Sequence, residues 1–166
     1  MSNVAVLLGL VNAKNSTAFT EAQLTFGAPV VIEGALEGAR NTHVTVTGVT
    51  AAGYKGDKQL AYTRLDLTKA FEGVAGGLKA FGPRVSGTTL DLLDDIKVQT
   101  GVEILASDIV EEAVDFSVAG NHVLKAAPGN LKWIGEVSVA ISLDLEDINA
   151  TLTQGDLDGF TYPVIA

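Results

Sequence analysis

Metal and acid-base sites are built from His, Cys, Asp and Glu. This chain offers two histidines, His43 and His122, twenty acidic residues and no cysteine. A metal pair from the two histidines needs further ligands. Neither has a His or Cys neighbour, and there is no His-Glu-x-x-His pattern. Each is read as a partly exposed polar residue that begins a strand. Asp156-Leu157-Asp158-Gly159 echoes the middle of a calcium loop. Gln154 and Ile165 stand at its first and last ligand positions, where an acid is required. Asp108, Glu111, Glu112 and Asp115 are close in sequence, but alternation along a strand scatters them to opposite sides. Paired catalytic carboxylates need a cleft and one raised pKa, and nothing in the sequence signals either.

Nucleophile and phosphate motifs are equally absent. There is no Gly-x-Ser-x-Gly elbow, Walker loop or Gly-x-Gly-x-x-Gly. Gly73-Val74-Ala75-Gly76-Gly77 lacks the Lys-Ser/Thr of a phosphate loop. The reading is therefore of a non-enzyme, with no catalytic, cofactor-binding or metal residue. The aromatic residues have two uses. Tyr54 and Trp133, each beside a turn glycine, make either a sugar-stacking platform or anchors that close a sheet, and the anchor reading is preferred. Phe71, Phe81, Phe160 and Tyr162 are further candidate anchors of the fold or of an interface.

Composition narrows the partners. The chain has 166 residues, 47% of them hydrophobic and only 19% charged, which is enough apolar content for a core and excludes disorder. A net charge of −9 argues against nucleic acid, which needs a basic footprint. The charge is uneven. Residues 1–83 carry six acids and seven bases, and residues 84–166 carry fourteen acids and four bases, a split of +1 against −10. A solvated surface accounts for that, as does an acidic face that meets a basic partner. Val4–Val11 is apolar but has no basic residue before it and is too short for a membrane span, so it is read as a retained helix. No membrane partner is expected.

The elements that must position these residues follow from an internal duplication. Leu7, Leu8, Val11, Phe19 and Leu24 match Leu92, Leu93, Ile96, Ile104 and Ile109 at an offset of 85. The offset then becomes 79, setting Asn41-Thr42-His43-Val44 against Gly120-Asn121-His122-Val123 and Tyr54–Asp57 against Trp133–Glu136. Each half closes on Leu-Asp-Leu, at Leu65–Leu67 and Leu143–Leu145. Each unit reads as a short helix followed by an antiparallel meander, since His43–Thr50 and Glu136–Leu145 alternate apolar and polar residues. Thr88 or Thr89 is expected to cap the second helix and Gly101 to end it. The fold expected is α+β, mainly β, with two related units whose sheets pack together. Unit 1 covers 1–68, a Gly-rich connection 69–87, unit 2 88–145, and a docking tail 146–166.

Several of these stretches carry a resemblance. Leu92-Leu93, the turn Ile104–Ile109, the step Trp133-Ile134-Gly135 before an alternating strand, and Asp158–Pro163 resemble a small β-rich domain of tailed-bacteriophage virion structural proteins. The resemblance implies a non-enzymatic structural component exposed on the particle, with decoration of the head favoured. The alternative is a tail, neck or fibre component acting as a receptor- or glycan-binding module. Its implied partners are further copies of itself and other virion proteins such as capsid or tail subunits. Its implied location is the virion, assembled in the host cytoplasm.

Overall fold

The computed structural model describes residues 2–36, 38–80, 84 and 86–142. Phe81, Phe160, Tyr162 and the tail 146–166 lie outside them. The apolar run near the start is a helix, α1 (Asn3–Asn15). Ser2 caps it, its Oγ accepting from the Ala5 N–H at 3.1 Å, and it stops where Ser16 turns left-handed at φ 54°. Asn12 Oδ1 then accepts from the Phe19 N–H at 2.8 Å and folds the chain back along the helix.

Four strands follow: β1 (Leu24–Phe26), β2 (Val30–Val31), β3 (Thr42–Gly48) and β4 (Asp57–Tyr62). β3 is central, with β1 and β2 antiparallel on one side and β4 antiparallel on the other. Thr42, Val44 and Val46 point inward while Thr45 and Thr47 face out, as the period of two requires. Leu7, Leu8, Leu24, Val44 and Val46 form the first core, with Phe19, Leu60 and Tyr62 packed against it.

The second core begins at once. β5 (Leu65–Asp66) runs into α2 (Leu67–Phe71), where the Asp66 carboxylate accepts from the Thr68 and Lys69 N–H groups. Then come β6 (Leu78–Ala80), β7 (Ser86–Thr88), α3 (Asp91–Thr100), β8 (Ala113–Asp115), β9 (Gly120–Lys125), β10 (Trp133–Ile134) and β11 (Glu136–Ile141). The main sheet here has the order β6-β11-β9, and β7 pairs with β8. Leu78, Leu124, Val139 and Ile141 from the sheet share one buried cluster with Leu67 and Phe71 of α2 and Leu92 and Ile96 of α3. Among the described residues no helix is long and apolar enough to cross a membrane. The chain is α+β and rich in strand.

Four details differ from the sequence reading. Residues 69–80 are not a bare connection, because Leu67 and Phe71 (i, i+4) and Leu78 and Ala80 (i, i+2) each bury one face in the second core. The strands are not all antiparallel: β6 runs parallel to β11, and β5 parallel to β10. Leu90 occupies the N-cap of α3 without a side-chain bond. Thr88 acts two residues earlier, its N–H donating to Asp91 Oδ2 at 2.7 Å. Gly101 does end α3, left-handed at φ 72°. Finally, His43 and His122 are not equivalent. His43 shares the outer face of β3 with Thr45 and Thr47, whereas His122 lies opposite the fully buried Val139 on the inner face of its sheet.

Candidate interaction surface

A polar seam joins the two cores. Arg64, only 7% exposed, donates from Nε to Thr42 Oγ1 at 2.9 Å and from Nη1 to the Asn130 carbonyl at 3.0 Å. The Asn130 side chain then donates from Nδ2 to Asp108 Oδ1 at 2.8 Å, while its Oδ1 accepts from the N–H groups of Lys132 and Trp133. Asp108 is fully buried, and also accepts from Asn3 Nδ2 and, through Oδ2, from the Leu105 N–H at 3.0 Å. A buried cation and a buried anion are thus linked through one asparagine without touching. Such charges are tolerated in a low-dielectric interior only when their donors and acceptors are met. Burial lowers the Arg64 pKa, opposed by the neighbouring Tyr62, and raises that of the Tyr62 phenol, opposed by the Arg64 charge. The Tyr62 O–H donates to the Leu131 carbonyl at 2.9 Å across the same seam. The hydrogen bonds at these buried groups are structural, and they fix how the two cores meet.

The singled-out residues scatter. Trp133 is 2% exposed, stacked on Phe71 with centroids 6.4 Å apart, and offers no face to a sugar. Tyr54 lies at the surface, edge-on to Phe19 at 5.2 Å. No sugar platform made of Tyr54 and Trp133 exists, since one member is inside the second core. The acids of 108–115 separate as strand alternation demands: Asp108 enters the seam, Glu112 meets Lys125 at 3.2 Å, and Asp115 accepts from Ser117. Among the described residues no three His, Cys, Asp or Glu side chains gather as a metal site. The Asp156–Gly159 stretch lies outside the described residues.

What the surface does present is an open strand edge beside an apolar groove. Leu7, Leu10 and Val11 of α1 and Leu60 and Tyr62 of β4 wall a groove of about 760 Å³, with Lys14 and Arg40 at its rim. A further space of about 340 Å³ adjoins it at Leu60, reaching Tyr54, Lys55 and Lys58. Val6 and Leu10 of α1 are exposed. The Gly48 N–H donates to the Gly56 carbonyl, so even-numbered residues of β4 bond to β3. The N–H and C=O groups of Asp57, Gln59 and Ala61 therefore point away from β3. Among the described residues no strand pairs with that edge. The outer edge of β11, by contrast, is occupied by β6.

Sequence reasoning missed both features. Asn130 sits in Pro128-Gly129-Asn130 and reads as a turn residue. Arg64 carries no local signal, because its partners lie 22 and 66 residues away. No curated protein and no solved structure matches the chain. The model of one family, DUF7941, described as a family of unknown function, matches residues 2–166, and the chain belongs to that family.

Proposed function

We propose that the chain is a non-enzymatic structural component of a tailed-phage virion, exposed on the particle, with head decoration favoured over a tail, neck or fibre position. The observation that carries this reading is the outer edge of β4, with which no strand among the described residues pairs, beside an apolar groove. Unpaired backbone groups next to exposed apolar side chains suit another protein segment better than a small substrate. The resemblance of the Ile104–Ile109, Trp133–Gly135 and Asp158–Pro163 stretches to virion structural domains points the same way. Partners on this reading are further copies of the chain and other virion proteins.

The reading includes a tandem duplication, supported by matched bonds. At an offset of 85, Ser16 and Gly101 are both left-handed ends of helices. At the same offset, Gln23 Oε1 accepts from the Thr20 N–H just as Asp108 Oδ2 accepts from the Leu105 N–H. Val49 N–H to Gln23 O is matched by Ala127 N–H to Asp108 O, and Gly48 N–H to Gly56 O by Ala126 N–H to Gly135 O. These set β3 against β9 at an offset of 78, which keeps Val46 and Leu124 on inner faces; β4 and β11 keep 79.

Mass spectrometry and antibody labelling of purified particles test the function. The protein should co-purify with particles in many copies and be labelled on the head surface. Its presence only in infected-cell lysate, absent from particles, overturns the proposal.

A further inference from the structure

We propose that the second core carries tension: residues 64–80 and 130–141 form a lap joint that resists a pull between the first core and the chain beyond β11. The use of such a joint rests on the structural, non-enzymatic reading above. The two runs lie side by side in the same direction and are tied in order along their length. Arg64 Nη1 donates to the Asn130 carbonyl at 3.0 Å, and the Leu65 N–H to the Lys132 carbonyl at 2.8 Å. Leu65 and Asp66 pair in parallel with Trp133 and Ile134. The Thr68 hydroxyl donates to the Glu136 carbonyl. Leu78, Lys79 and Ala80 then pair in parallel with Val139, Ala140 and Ile141.

The direction of the strands decides how such a pairing fails. A pull on the N-terminal side of β5 and on the C-terminal side of β11 draws parallel strands past each other. Every bond between them is strained at once, and the pairs must break together. Strands drawn apart from one end instead open pair by pair, and each step costs a single pair. Resistance to force is set by the unfolding barrier and not by equilibrium stability, so the first arrangement outlasts the second under the same load. β11 has one neighbour of each kind. β6 runs parallel to it, so its pairs are sheared. β9 runs antiparallel, with Gly120 opposite Ile141, so a pull on those two ends unzips it.

The surroundings strengthen the joint. Leu78, Ala80, Val139 and Ile141 are buried in the second core, which keeps water from replacing a strained bond as it opens. Phe71, between β5 and β6, stacks on Trp133 and ties α2 to the opposite run. The first core is attached at the N-terminal end of the joint, where Thr42 of β3 accepts from Arg64 Nε. A load on the first core therefore enters the second at the first tie.

The chain contains no cysteine, so introduced pairs fix where force is applied. In the full-length protein, Thr63→Cys with Ser142→Cys pulls along the joint, whereas Ala119→Cys with Ser142→Cys draws β9 from β11 at one end. Thr63 and Ala119 are exposed, so the anchors leave the cores intact. Single-molecule pulling at one speed should give a rupture force about twofold or more higher along the joint, while the urea midpoints of the two variants agree. Thr68→Val deletes the tie to Glu136 at an exposed position. It should shorten the lifetime under constant load about threefold along the joint and leave the unzipping direction unchanged. A rupture-force ratio below two, or a Thr68→Val effect that is absent or equal in both directions, overturns the proposal. Particle labelling is independent of these forces, so a virion protein that fails the pulling test loses this inference alone.

Discussion

Truncating Asn130 tests whether the polar seam holds the two cores together. Asn130→Ala deletes three hydrogen bonds, one to the Asp108 carboxylate and two from the N–H groups of Lys132 and Trp133. It leaves the backbone carbonyl that Arg64 uses in place. The Trp133 N–H is stranded inside the second core, and Asp108, fully buried, keeps only Asn3 and Leu105 as donors. A stranded buried group costs about 1–3 kcal/mol, and a bond to a charged group is worth about 1.5–3 kcal/mol. The expected loss is about 4 kcal/mol, or roughly 8–16 °C in the thermal midpoint for a chain of this length. Urea unfolding followed by Trp133 fluorescence and by circular dichroism measures it. Asn130→Asp is the companion, since it keeps the shape and the acceptors but sets a second carboxylate against Asp108. It should also destabilise strongly at neutral pH. A loss below about 1 kcal/mol in Asn130→Ala, no more than an ordinary hydrogen bond contributes, would refute the idea that the seam is structural.

Gly87→Ala should destabilise by about 1–3 kcal/mol, the usual cost of overpacking. An added Cβ would run into the Asp91 carboxylate and approach the Phe116 ring within 2.9 Å, and thermal unfolding reads the loss. Carboxylate NMR titration should place both Glu103 and Asp115 below the ordinary range for their carboxyl types, the first held down by the hydrogen bond and charge of Lys97 and the second by bonds from Ser117. Because both folded pKa values are depressed, any stability they contribute is present above the unfolded values and lost as pH falls through the folded ones. Self-association, if the acidic half of one copy meets the cationic rim of the next, should weaken in 1 M salt, where the screening length is about 3 Å. Unchanged sedimentation at high salt removes the electrostatic part of that argument.

Much of the architecture was legible in the chain. The apolar anchors Leu7, Leu8, Leu92 and Ile96 located two helices, because a helix needs one apolar face to join a core. Alternation marked β3 and β11, and Gly101 marked the end of α3. The Gly-rich stretch misled. Phe71 stood out in it as a candidate anchor, but its many glycines hid Leu78 and Ala80, whose burial depends on a core assembled from residues up to Ile141. The matched histidines misled in another way. A slip of one residue reverses the face of every side chain in a strand, and only the backbone ladder reveals the slip.

The sequence by itself determined α1 and α3, the alternating strands, the lack of catalytic motifs and the concentration of acid in the second half. These are local or additive properties, set by side-chain period, capping and charge count. Tertiary structure alone decided that Arg64, Asn130 and Asp108 converge, that β5 and β6 pair in parallel with strands far along the chain, and that no strand among the described residues pairs with the outer edge of β4. Those outcomes depend on long-range pairing, whose partners no neighbouring residue specifies. The acids and histidines that first looked like chemistry were divided by that pairing among a buried seam, exposed loops and opposite faces of different sheets.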